Sequence, residues 1–317
     1  MAVQIIKSKH CVFSCFRFAY KTKKEKRKRT NKMLEMLINP KKAERRPWEM
    51  FFIGLLYASL SILLVDWIFS QDTVLVKMSG ILVILFTVMF SIPFIYYTLR
   101  LEEDRITKGK GSVQLIKDHR HAIYAFLWLF VGFTVAFAFW YSVLPTTESF
   151  RAQIETYCMI NRPANFNECV AQYGVKDVSV TTPFLTNKER LFLIFTNNMY
   201  VLIFTLVFSL IFGAGVIFIL AWNASVIGAA IGIFTGSSLK ALPLGLVRYM
   251  IHGLPEIAAY FIVALAGGLV SIAVIKHESG TDKFWGVLQD SLNLIILAIV
   301  VLFLAALMEV FVTPLLF

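Results

Sequence analysis

The chain has 317 residues, 58% of them hydrophobic, and a mean hydropathy of +0.70, whereas soluble domains average about 45–50% apolar. Residues 78–99, 121–147 and 191–239 carry no Lys, Arg, Asp or Glu. A membrane span needs about 17–25 apolar residues, so the fold class is all-α: a polytopic helical membrane protein with about six or seven spans. A soluble fold is excluded, and a transmembrane barrel would need an alternation that is absent.

The net charge of +11 is unevenly spread: residues 1–48 hold 15 Lys/Arg against 3 Asp/Glu, and the other 269 hold 16 against 17. Lys7, Lys9 and Arg17 interrupt the first 20 residues, so no removable signal peptide is expected. Cys11 and Cys15 are either free thiols or lipidation sites. The run from Lys21 to Arg29 suits anionic lipid beside a span better than nucleic acid, so no nucleic acid is expected as a partner. Met33 to Ile38 suggests an interfacial helix ended by Asn39-Pro40, with Arg45, Arg46 and Trp48 as an anchor. Residues 1–48 thus read as a basic cytoplasmic arm.

Spans are expected over about 50–69 and 75–99, separated by a turn at 70–73. The following loop, residues 100–120, holds six Lys/Arg. Two basic segments on one side put the N-terminus in the cytoplasm of a multi-pass cell-membrane protein. Residues 49–120 form an N-terminal hairpin and basic loop, and residues 121–317 a transmembrane core. A third span over about 122–144 leads to an outside loop, 145–190, carrying Cys158 and Cys169. A disulfide between them is favoured, since bridges persist outside the cytoplasm.

The charge-free run 191–239 would be about 74 Å of helix, far more than one crossing. A break is expected at Trp222-Asn223, because Asn disfavours helix interiors and caps the helix that follows. The fourth span then covers about 191–221. A short element follows over 224–236, with Gly228, Gly232 and Gly236 on one close-packing face. It either crosses the membrane or dips in and returns; crossing keeps Lys240 in water and is preferred. Further spans are expected over about 253–275 and 287–312, the last ending at Thr313-Pro314. Crossing puts the C-terminus outside, and re-entry puts it inside.

The polar residues of the core form one constellation. A short connection makes the last two long helices antiparallel, so Glu256 near the start of one and Glu309 near the end of the other share a depth. Arg248 and His252 lie just above them. Glu256, following Pro255, suits a first helical turn. Glu309 at a helix C-terminus opposes the dipole and needs a cation or donor, Arg248 or His252. Arg248, His252, Glu256 and Glu309 are therefore expected to form a network at one membrane face. Asn197 and Asn198 either bond neighbouring helices or bind a ligand. One His with two carboxylates is a thin metal set, so no metal or cofactor is expected. Nucleotide-binding and hydrolase fingerprints are lacking, which argues against an enzyme.

The order Asn197-Asn198, Trp222-Asn223-Ala-Ser-Val-Ile-Gly228, His252-Gly-Leu-Pro-Glu256-Ile and Ala305-Ala-Leu-Met-Glu309-Val-Phe-Val-Thr-Pro314 resembles the stage II sporulation protein M family. The similarity covers about residues 121–317. Asn223-Ala224 stands where the family often has Asn-Gly, and Ile251 where it often has Pro. The basic arm and extra hairpin look like the longer archaeal-type forms. The resemblance implies a polytopic membrane scaffold; in spore formers such a protein anchors secreted peptidoglycan-degrading enzymes at the septal membrane. A scaffold for extracytoplasmic proteins is the leading expectation. A transporter or permease-like component is the alternative, and a homo-oligomer stays open.

Overall fold

A computed structural model describes residues 47–69, 71–72, 74–103, 112–144, 148–161, 165–174, 186–212, 216–275 and 282–317. The basic arm, the interfacial helix expected at 33–38, Cys11, Cys15 and the run from Lys21 to Arg29 lie outside these residues. The long helices are α1 (Glu49–Phe69), α2 (Ser79–Glu103, entered through a 3-10 turn, Leu75–Met78) and α3 (Ser112–Val143). After a 3-10 turn, Glu148–Phe150, come the short helices α4 (Arg151–Asn161) and α5 (Phe166–Gly174). Then follow α6 (Asn187–Phe212), α7 (Val216–Phe234), α8 (Leu242–Ile275) and α9 (Asp282–Leu307). A π-helical turn, Met308–Val312, and α10 (Thr313–Leu316) complete the order. No strand occurs among the described residues.

Among the described residues, seven helices are long and apolar enough to span a bilayer. They are apolar all round because each meets protein on one side and lipid on the other. In α1 the buried stripe runs through Met50, Gly54, Ala58, Ile62 and Val65, while Phe52, Leu56, Leu60, Leu63 and Trp67 point outward. Helices α3, α7 and α8 are the most enclosed, and α1, α2, α6 and α9 form the periphery. The interior is rich in Phe, with Phe94, Phe130, Phe133, Phe137 and Phe150 fully buried.

The sequence places the break in the long apolar run wrongly. Helix α6 ends at Phe212 and α7 starts at Val216, so Trp222 and Asn223 sit inside a 19-residue helix. Asn223 satisfies its amide by donating to the Ile219 carbonyl one turn back, at 2.8 Å. That local bond removes the polar cost that otherwise favours a cap. The fourth span is therefore Asn187–Phe212 rather than 191–221. The element expected at 224–236 is the C-terminal half of a central helix.

Gly228 and Gly232 do supply a close-packing face. A Cβ at Gly228 would lie 2.6 Å from Phe137 Cβ, and one at Gly232 would enter the Tyr141 ring. Gly236 does not belong to that face: no atom lies within 4 Å of its virtual Cβ, and its φ is +56°. It ends α7 in a left-handed conformation. The Ser237 amide bonds Gly232 O at 3.0 Å and the Gly236 amide bonds Ile233 O at 3.2 Å, the paired pattern of a glycine-terminated helix.

These contacts fix the topology. Residues 228 and 232 of α7 meet 137 and 141 of α3, so the two helices run parallel and end on one face. This cap face carries the segment with α4 and α5. Helix α6 leaves it, α7 returns to it and α8 leaves it again, so α7 crosses rather than re-enters. Helix α4 is sunk among the spans: its fully buried Gln153 donates to Gly80 O of α2 at 2.9 Å and to Ser225 Oγ of α7 at 3.2 Å. Cys158 of α4 and Cys169 of α5 are joined by a disulfide, and both are fully buried.

Candidate functional site

The polar residues run inward from the cap face, where α6 and α8 begin and the chain after α9 ends, and reach the middle of the bundle at Asn198 and Glu256 rather than the membrane edge. Thr186 and Glu189 fix the start of α6. Glu189 Oε2 accepts from the Thr186 amide at 2.9 Å and its hydroxyl at 2.8 Å, a reciprocal helix-start motif. Two turns on, Ile194 packs against Ala306 and Val310, tying α6 to the end of α9. Asn198, one turn deeper, is buried and donates from Nδ2 to Glu256 Oε1 at 2.6 Å. Asn197 points about 100° round the helix from it and takes no part in that bond.

Helix α8 contributes a stripe at four-residue spacing: Arg248, His252, Glu256 and Tyr260. It begins at Leu242 and runs unbroken to Ile275 with Pro255 inside it. The span expected to start near Gly253 therefore starts three turns earlier. Glu256 is not in a first helical turn, and capping does not explain it. Proline is tolerated there because neighbouring helices can meet the freed backbone groups. With no N–H at Pro255, the Ile251 carbonyl loses its usual helical donor.

Glu309 sits in the π turn, where a widened repeat re-aims side chains relative to α9. Thr313 Oγ1 closes the turn by donating to Met308 O at 3.1 Å. That hydroxyl hydrogen is then committed, so the 3.3 Å contact with His252 Nδ1 is donated by the imidazole. His252 Nε2 is thereby turned toward Glu309 Oε2 at 4.0 Å, too long for a hydrogen bond. The side chain of His252 is 9% exposed and that of Glu309 22% exposed, so Glu309 is the open end of the group.

Arg248 departs from the expected network. Its Nη1 donates to Phe317 O at 3.3 Å, and its guanidinium lies 4.5 Å from the Phe234 ring centroid. It clamps the end of α7 and the end of the chain and leaves Glu309 to His252. Arg190, in the first turn of α6, is near enough to Glu309 to attract it. Among the described residues, no three His, Cys, Asp or Glu side chains form a metal-ligand set.

The sequence profile of stage II sporulation protein M matches residues 121–314. The chain belongs to this family. An uncharacterized protein of Methanocaldococcus jannaschii is 33% identical over 130 residues, covering 38% of this chain and 69% of that protein. No solved structure matches the chain. The match to stage II sporulation protein M begins within α3 and reaches Pro314, so it takes in Asn198, His252, Glu256, Glu309 and Thr313. Phe317 and the whole of α1 and α2 lie beyond it.

The sequence did not point to Thr313 as the partner of His252, nor to Tyr260 as the next member of the α8 stripe. Thr313 carried a signal only in its Pro314 neighbour, which marks a helix end. Tyr260 was legible as i+4 from Glu256.

Proposed function

We propose that this stage II sporulation protein M family member is an integral membrane scaffold, not an enzyme, that holds extracytoplasmic partner proteins at its cap face. The basic arm and the basic loop between α2 and α3 would lie in the cytoplasm, and Lys21 to Arg29 would bind anionic lipid. The observation that carries the reading is the mounting of α4 and α5. Gln153 ties α4 to two spans, and the disulfide ties α5 to α4. A docking surface held this firmly costs little to order when a partner binds.

Crosslinking followed by mass spectrometry on native membranes tests the reading. A defined protein should crosslink to residues of α4 or α5, and its yield should fall when Gln153→Leu loosens α4. If the cap face yields nothing above background while purified protein in liposomes supports solute flux, the scaffold reading fails. Transport is the second reading, and buried polar groups on spans beside a π turn favour it. Under that reading Glu256→Gln abolishes the flux.

A further inference from the structure

We propose that the polar layer beneath the cap face binds one small monovalent cation of the sodium class, beside Glu256 and Tyr260. The argument starts from charge. Glu256 is buried between α6 and α8, and its one hydrogen-bond partner among the described residues is the neutral amide of Asn198. It is near enough to Glu309 for the two carboxylates to repel. Neither guanidinium answers it: Arg248 is held by Phe317 O and the Phe234 face, and Arg190 acts on Glu309. A carboxylate enclosed in a membrane bundle with no cation beside it is costly.

A second observation lies one turn deeper. The Tyr260 hydroxyl is buried, at 3% exposure for the residue, and has no hydrogen-bond partner among the described residues. Side chains on a helix lean toward its N-terminus, so this phenol rises toward the layer of Glu256. It interacts electrostatically with both Glu256 and Glu309. An unmet buried hydroxyl is itself unfavourable, and a cation seated between carboxylate and phenol oxygen answers both deficits.

The donors available select the ion. They are hard oxygens: the Glu256 carboxylate, the Tyr260 phenol and the amide oxygen of Asn198. Among the described residues one imidazole is near, its Nδ1 is spent on Thr313, and no ligand set for a soft transition metal forms. Entry would be from the cap face, past the half-open Glu309.

The test is a thermal melt of the purified full-length protein in detergent, followed by tryptophan fluorescence. Sodium chloride is titrated against choline chloride at fixed pH and ionic strength. The melting temperature should rise and saturate with sodium, as for any ligand bound only by the folded state. Glu256→Gln should melt at one temperature in both salts. Tyr260→Phe should keep the response but need at least about tenfold more sodium, the scale on which losing one supporting group weakens an ion site.

The proposal is overturned if the wild-type protein melts alike in both salts, or if Tyr260→Phe responds at the wild-type sodium concentration. It is also overturned if stability follows pH but not sodium, because a proton then meets the charge. Should Glu256→Gln fail to fold, Tyr260→Phe decides alone. The inference stands apart from the scaffold reading: sodium dependence needs no partner, and partner crosslinking needs no sodium.

Discussion

The crossing of α1 and α3 is a sharp place to perturb the fold. A Cβ on Gly54 would lie 2.5 Å from Leu129 O and 3.2 Å from Phe133 N, and one on Gly132 would run into Phe51 O. Each glycine thus admits the other helix's backbone. Ordinary contact begins at 3.4 Å, so Gly54→Ala must part the two backbones by about 0.9 Å at that point. Overpacking of this kind costs about 1–3 kcal/mol, against about 1 kcal/mol gained in helix propensity. The expected net loss is ~0–2 kcal/mol. Gly268→Ala is the control, because no atom lies within 4 Å of its virtual Cβ; it should be neutral or stabilising by up to about 1 kcal/mol. The assay is thermal unfolding of purified protein in one detergent. A combined Gly54→Ala and Gly132→Ala variant should lose less than the sum of the two, since the first change already opens the contact. If Gly54→Ala melts at or above the temperature of Gly268→Ala, the close-approach reasoning is wrong.

Three further outcomes follow from local chemistry. Replacing Cys158 and Cys169 by Ser opens an 11-residue separation and should cost ~2–3 kcal/mol by loop entropy, seen as earlier protease cleavage between α4 and α5. Thr313→Val keeps the shape but removes the acceptor for His252 and the bond to Met308 O; a loss of about 1–3 kcal/mol should appear as faster hydrogen exchange through residues 308–316. Asp72 accepts the Val74 and Leu75 amides at 2.8 Å each, and these bonds hold its carboxyl below the ordinary 3.8. Its small contribution is therefore present above about pH 4 and lost as pH falls through the lowered value, so protection of those two amides should fade in acid and be absent at all pH in Asp72→Ala.

Helix number and the pairing of distant motifs were legible in the sequence because charge-free runs and spacing report them directly. His252 and Glu309 could be brought together from one short connection and antiparallel geometry. The errors share a cause: residues that usually mark helix ends were read as ends. Asn223 and Pro255 both lie inside long helices, where a bond to Ile219 O and packing by neighbours remove the penalties that make them punctuation in water. Gly236 was counted with Gly228 and Gly232 because i, i+4, i+8 spacing cannot tell a packing glycine from a terminating one. The α1–α3 contact was not read because its two glycines, Gly54 and Gly132, sit on helices 78 positions apart with no local pattern between them. The π turn at Met308–Val312 had no signal either; it is a backbone feature, with the Thr313 amide bonding Met308 O five residues back.

The crossing of α7 decides what the cap face can do. Because α7 runs parallel to α3, its glycine-terminated end lies beside the α4–α5 cap, and Phe234 at that end meets Arg248 of α8. Arg248 in turn holds Phe317, and His252 one turn below holds Thr313. Had the chain re-entered at 224–236, the starts of α6 and α8 would have faced opposite sides, and Asn198 could not have reached Glu256. The 2.6 Å bond between them therefore depends on α7 crossing. It also couples the polar layer to the cap through α7: Ser225 receives Gln153 from α4, and Phe234 receives Arg248. A displacement of α4 would therefore act on the helix that shares these contacts.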